Sequence, residues 1–313
     1  MATYLITGGA GFIGSHLADA LARRGDHVRV LDNFTTGKRA NLQHLDGHCH
    51  IVEGDVRDAN VVRTAMTGVD YVLHHAAIVS VPQSMIDPIT TSHVNVDGTL
   101  NILMAAHEQH VKRIVLASSC AVYGDNNDLP LKEDSTTKPM SPYAASKLNA
   151  EIYCQAFCRA YGVPTVCLRY FNIFGPRQDP NGEYAAVIPQ FAERMLAARA
   201  PIIYGDGHQT RDFVHVSDVV RANLLACERI EAIGQTYNVA TGRSVSLLEL
   251  VAALNHALGT RFAPEFRPAR AGDIRHSAGD NRRITTQLGF ALEKPFTDRL
   301  AETARTMMRI AVN

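Results

Sequence analysis

Tyr143-Ala-Ala-Ser-Lys147 sets a phenol and an ammonium four residues apart. On a helix those side chains share one face, so both can act on a single reacting group. A phenol titrates near 10, and bringing it to about 7 takes roughly 4 kcal/mol of preferential stabilisation of the phenolate. The adjacent lysine and a positively charged cofactor ring are expected to supply it, which makes Tyr143 a general base for a hydroxyl proton. Ser119, in Ser118-Ser119-Cys120-Ala121-Val122-Tyr123-Gly124, follows the apolar run 114–117. Its hydroxyl is expected to hydrogen-bond the oxygen that Tyr143 deprotonates.

The cofactor is signalled by Gly8, Gly11 and Gly14 in GGAGFIG, which follow the β-branched run 4–7 and open a helical pattern at Ser15. Glycines there let the backbone turn tightly and approach a pyrophosphate, whose charge meets the helix N-terminus. Eighteen residues beyond Gly14, Asp32 ends the second run and is placed to accept hydrogen bonds from an adenosine ribose. A carboxylate there repels a 2′-phosphate, so NAD is expected rather than NADP. Lys38 is the residue that could instead have served a 2′-phosphate. Asp55, in EGDVRD, either reaches the adenine or is an ordinary strand-end aspartate.

Such groups need rigid elements beneath them. Runs 4–7, 28–31, 51–52, 71–75 and 114–117 read as buried parallel strands, with helical spacing in 15–24 and 90–110 between them. A helix from 141–142 to about 161 leads into a further strand at 165–169. That alternation predicts an α/β fold with a doubly wound, Rossmann-type parallel sheet. After Arg169 the texture changes to Gly- and Pro-containing loops, with helices near 187–198, 217–229, 246–258 and 298–309. We therefore expect a dinucleotide-binding domain of residues 1–170 plus about 208–240, and a smaller α/β substrate-binding domain of 171–207 and 241–313. His74 and His75 read as packing residues rather than bases.

Composition excludes several classes. With 313 residues, 46% hydrophobic and 20% charged, the chain can bury a sizeable core. Its 31 Lys+Arg balance 31 Asp+Glu, which removes the broad basic footprint of a nucleic-acid or membrane-surface binder. A run of about 18 apolar residues is absent, as is a secretory leader pattern at the start. The six cysteines show neither CxxC pairing nor zinc spacing, so no metal is expected and a reducing cytoplasm is the expected compartment.

Together, Gly8/Gly11/Gly14, Asp32, Ser119 and Tyr143/Lys147 resemble the extended short-chain dehydrogenase/reductase family over essentially the whole chain. The resemblance is to its nucleotide-sugar members, which join a Rossmann domain to a small substrate lobe. It implies further cofactor contacts at Phe12, Ile13, Asn33, Val56, Ala76, Ala77, Asn95 and Tyr170, with Lys147 holding the nicotinamide ribose. Arg169-Tyr-Phe-Asn172-Ile-Phe-Gly175 resembles the epimerase segment whose Asn meets the sugar diphosphate. Ala186 and Val187 resemble the stretch over the uracil, and Tyr204 an aromatic that stacks on it. Arg211 and Arg270 resemble two diphosphate-binding arginines, with Asp273 near the uridine ribose and Ser80 among the substrate contacts.

Two positions point to a subgroup. Val79 stands where plain UDP-galactose 4-epimerases typically carry a lysine. Ser277 falls where galactose-specific enzymes carry a bulky Tyr and dual-specificity ones a Cys, so a small residue there leaves room for a 2-acetamido group. The resemblance is therefore to UDP-N-acetylglucosamine 4-epimerases, interconverting UDP-GlcNAc and UDP-GalNAc through a 4-keto sugar, with weaker action on UDP-Glc and UDP-Gal. Family dehydratases carry an Asp-Glu pair where this chain has Cys120 and Ala121, which argues against elimination. Uronate epimerases and decarboxylases differ at Asn172, and a non-catalytic NAD sensor is expected to have lost Tyr143, Lys147 or Ser119. The helices near 90–110 and 142–161 resemble those of a family dimer interface, so a homodimer is expected.

Overall fold

The computed structural model describes residues 1–180, 186–269 and 274–312. In chain order the strands are β1 (Thr3–Thr7), β2 (His27–Asp32), β3 (Cys49–Glu53), β4 (Tyr71–His74), β5 (Arg113–Ser119), β6 (Thr165–Tyr170), β7 (Asn172–Phe174), β8 (Ile202–Tyr204), β9 (Thr210–Arg211), β10 (Phe213–His215), β11 (Thr236–Val239), β12 (Val245–Ser246) and β13 (Glu265–Arg267). The helices are α1 (Phe12–Arg23), α2 (Ala59–Met66), α3 (Val81–Ile86), α4 (Pro88–Ser92), α5 (Gly98–Glu108), α6 (Pro142–Tyr161), α7 (Val187–Leu196), α8 (Val216–Glu228), α9 (Leu247–Leu258), α10 (Arg282–Leu288) and α11 (Phe296–Val312).

Seven strands form one parallel sheet in the order β11-β6-β5-β4-β1-β2-β3. The expected doubly wound architecture is present. Alternation along β1 shows why the sheet is covered on both faces. Leu5 packs with Leu31, Val62 and Ile102 on one side, while Ile6 packs with Leu17, Leu21 and Val219 on the other. Strand order reverses between β1 and β4, and the carboxyl ends of those strands form the crevice where such sheets bind ligands.

The expected 142–161 helix is α6. Ser141 caps it by accepting the Ala144 N–H at 3.1 Å, Pro142 pre-sets its first turn, and Gly162 ends it in the left-handed region. A third apolar cluster, including Phe174, Phe191, Leu250, Leu254 and Leu300, joins β7, α7, α9 and α11.

Three expectations are corrected. The 90–110 helix is interrupted: α4 and α5 are separated by a π-helical turn, His93–Asp97, which turns Asn95 inward. The sheet gains β11, whose four residues are too few for a periodic signal. Ile284, Leu288 and Phe290, expected with the second lobe, pack into the core beneath the parallel sheet, because α10 lies against β11. Among the described residues no helix is long and apolar enough to cross a membrane.

Candidate active site

The glycine loop runs from β1 into α1, with Gly11 at the N-cap position. Gly8 has φ +68° and donates its N–H to Leu31 O at 2.8 Å. A Cβ on Gly14 would lie 2.3 Å from Gly8 O, and one on Gly8 would lie 2.8 Å from Ala76 N. Both glycines are therefore required by close backbone packing, Gly14 of α1 against the loop and Gly8 of the loop against the chain after β4. Phe12 and Ile13 open α1, and Ala76 and Ala77 follow β4. Asp32, 7% exposed at the end of β2, accepts the Ala10 N–H at 2.9 Å and the Phe34 N–H at 2.8 Å. This tight glycine turn at a helix N-terminus, with an aspartate one strand away, fits a dinucleotide.

Several expected cofactor residues are committed within the protein. Lys38 directs its ammonium to Asp179 at 2.7 Å, because the chain after β7 returns over the β2 edge and brings a carboxylate to it. Asp55 is held well below the usual carboxylate range, first by hydrogen bonds from Arg57, and also accepts from Asn33 at 2.9 Å. The Asn95 amide bonds both backbone groups of Ile78, at 2.8 and 3.0 Å, and donates to Ser146 Oγ at 2.9 Å. Its side chain thus braces the loop after β4 against α6. Tyr170 accepts from Asn223 at 2.8 Å and is hydrogen-bonded to His75 at 3.0 Å. Val56 is buried beneath Gly98 at the start of α5. His74 bridges Thr7 and Thr99, and burial brings it down to about 3.

The sheet brings Ser119, Tyr143 and Lys147 together. Ser119 ends β5, and its hydroxyl accepts the Ala121 N–H at 3.1 Å and lies close enough to Tyr143 to favour its phenolate. One turn along α6, Lys147 Nζ donates to Ala117 O at 2.9 Å. Burial brings Lys147 down to about 8. For Tyr143 the expected lowering depended on the cofactor ring as well as on Lys147, and the protein alone does not supply it. Burial pushes its phenol up to about 12, opposed by the nearby Ser119 hydroxyl, and Lys147 has its own partner on β5. The protein alone keeps Tyr143 protonated.

From the start of α1 a groove of about 460 Å³ extends along β7, α7, β8 and β9, lined among others by Phe12, Asn172, Ala186, Val187, Tyr204 and Arg211. Asn172 lies on β7, paired with Phe213. Arg211, on β9, donates to Thr210 O at 2.9 Å, and Tyr204 ends β8. Ser277 is 8% exposed and lies beside Cys120. Ser80 caps α3 by accepting the Gln83 N–H at 3.1 Å. Arg270 and Asp273 lie outside the described residues.

With this geometry in place, comparison with known proteins is decisive. The NAD dependent epimerase/dehydratase family matches residues 4–240. The chain belongs to that family. NAD is its cofactor, in keeping with the cradle at Gly8–Gly14. A putative UDP-glucose 4-epimerase of Methanocaldococcus jannaschii is 41% identical over 272 residues, 86% of this chain and 87% of that protein. Among solved structures, the UDP-N-acetylglucosamine 4-epimerase of Methanobrevibacter ruminantium in complex with UDP-N-acetylmuramic acid superposes with a TM-score of 0.95 at 38% identity, covering 100% of this chain and 99% of that one. The UDP-glucose 4-epimerase of Thermotoga maritima with UDP-glucose gives 0.94 at 36% identity, covering 99% and 100%.

Sequence reasoning missed how the turn after β7 is tied to α1 in this epimerase/dehydratase family member. His16 Nε2 donates to Pro176 O at 2.8 Å, and Arg177 donates to Asn41 O at 3.2 Å and pairs with Asp19. Arg177 has φ +67° in a segment that read only as a Gly/Pro loop, so no periodic signal marked it. It also missed Gln178, Gln190 and Gln209 in the groove lining. Their polarity among apolar neighbours is the signal that could have found them.

Proposed function

We propose that this NAD-dependent enzyme is a UDP-sugar 4-epimerase, with UDP-GlcNAc and UDP-GalNAc as its preferred pair and UDP-Glc and UDP-Gal as slower substrates. The observation that carries the reading is that Ser119, at the end of β5, and Tyr143 and Lys147 on α6 come together at the carboxyl edge of the sheet, the edge from which the glycine turn leads into α1. Support for the acetamido preference comes from Ser277, a small buried side chain next to Cys120, itself beside Tyr143. It also comes from the 0.95 superposition on a UDP-N-acetylglucosamine 4-epimerase.

Bound NAD supplies a hydride acceptor and donor at C4 of the sugar. The parallel-sheet lobe holds it through Gly8, Gly11, Gly14 and Asp32, and the second lobe receives the nucleotide sugar. Within that arrangement Tyr143 takes the proton from the 4-hydroxyl and returns it after the keto sugar has turned over in the site, which inverts C4. Ser119 orients O4 by hydrogen bonding, and Lys147 adds positive charge beside the base. Because burial opposes the Tyr143 phenolate, activation depends on positive charge in the assembled site. Asn172, Arg211 and Arg270 meet the diphosphate, and Val187 and Tyr204 the uracil. A neutral chain needs such a local cation pair to hold a dianion.

The test incubates purified protein with each of the four UDP-sugars and resolves products by NMR. Faster conversion of the N-acetylated pair is expected. Conversion of only the unsubstituted pair overturns the preference, and no conversion of any overturns the reading.

A further inference from the structure

Three successive residues of β5 each engage one residue of α6. Ser119 lies beside Tyr143, the Ala117 carbonyl accepts from Lys147 Nζ, and the Ser118 hydroxyl donates to Glu151 Oε1. Tyr143, Lys147 and Glu151 follow at intervals of four along one helix face, at 8%, 5% and 1% exposure. The first two have roles in the proposed chemistry. Glu151 does not, yet it is the most deeply buried of the three.

Glu151 is also the most thoroughly bound. Arg169, which pairs with Ser118 across β5 and β6, grips it with Nε to Oε1 at 2.9 Å and Nη2 to Oε2 at 2.7 Å. The same guanidinium lies 4.8 Å over the Tyr123 ring and donates to Glu133 O at 3.0 Å. Tyr123 in turn donates to Asn238 Oδ1 at 2.6 Å. Replacing a buried ion pair by apolar residues is often neutral or stabilising, so this pair is poorly accounted for by stability alone.

We propose that Glu151 is a positioning residue for the reaction, tying the end of β5 to α6 and supplying the counter-charge that keeps Lys147 an ammonium beside Tyr143. The inference rests on the roles assigned above to Tyr143 and Lys147. Around Lys147 the ionisable groups are Tyr143 and Glu151 on α6 itself, and His74 and His75 from β4 and the residue after it. Glu151 itself is faced by Arg169 and Cys167 from β6 and by Cys154 from α6. Both histidines are held neutral by burial, at about 3 and about 4. Glu151 is thus the anion that opposes the desolvation of Lys147.

The test is the pH dependence of kcat/KM for the holoenzyme. In Glu151→Gln the alkaline limb, which reports loss of the Lys147 proton, is expected to move down by about one pH unit. Ser118→Ala, which keeps the carboxylate, should lower the rate with that limb in place. A uniform loss at every pH in Glu151→Gln, with the limb unmoved, makes Glu151 merely structural and overturns the proposal. Should Glu151→Gln fail to fold, Glu151→Gln/Arg169→Gln removes the unpaired guanidinium as well, and a smaller shift of the limb in the same direction is expected, because a cation is lost with the anion. Full turnover in Lys147→Met would instead defeat the underlying functional reading, whatever Glu151 does.

Discussion

The Arg177 guanidinium pairs with Asp19 at 2.5 Å, joining the turn after β7 to α1. With His16 to Pro176 O and Lys38 to Asp179 it forms a strap across the lobe that holds the glycine cradle. Arg177→Ala removes the central contact of the three. We expect NAD to leave the enzyme about tenfold faster, an effect of roughly 1.4 kcal/mol. Stopped-flow fluorescence during displacement by excess nucleotide measures it, and an unchanged release rate would show that the strap does not retain the cofactor.

Tyr143→Phe keeps the ring in its buried place and deletes the hydroxyl that Ser119 contacts. Turnover should drop by about 10²–10⁴, the usual contribution of a positioned acid–base group, while NAD stays bound. Wild-type kcat in this variant would remove Tyr143 as the base.

Ser277→Tyr fills the space beside Cys120 with a ring. Overpacking costs about 1–3 kcal/mol, so kcat/KM for UDP-GlcNAc should drop roughly 5- to 150-fold, with a smaller effect on UDP-Glc. Equal losses for both sugars would mean that this position does not select for the acetamido group.

Gly14→Ala places a Cβ 2.3 Å from Gly8 O, against backbone that has no rotamer to yield. The loop must open, at a cost of about 1–3 kcal/mol in stability. Calorimetry of binding should show NAD affinity weakened at least tenfold, and wild-type affinity would mean the loop accommodates the methyl freely.

Stability should fall on mild acidification because the His74 pKa is lowered from 6.5 to about 3 in the folded chain. A depressed folded pKa means the unfolded state binds the proton first, so this contribution is intact above pH 6.5 and is lost as pH falls toward 3. At pH 5 the loss is about 2 kcal/mol from His74 alone. His16, His75 and His215, each lowered to about 4, act in the same direction. Urea midpoints at pH 7.5 and pH 5 provide the check, and equal midpoints would contradict it.

What the sequence determined by itself was whatever depends on neighbours along the chain. Glycine spacing after a β-branched run, a Tyr and a Lys on one helix face, and alternating strands and helices are local signals, and each led to the right element. The family resemblance carried the same motifs onto the full chain. Tertiary structure decided what depends on residues far apart in sequence. Asn95 bonds Ile78 and Ser146 instead of turning outward, and Lys38 meets Asp179, 141 residues away. Glu151 owes its place to Arg169 from the neighbouring strand. The charge on Tyr143 follows the same rule: spacing put Lys147 beside it, but the fold offered that ammonium the Ala117 carbonyl and buried the phenol. A polar side chain's partner is set by which strands and helices are packed together, and that is known only once the sheet has been assembled.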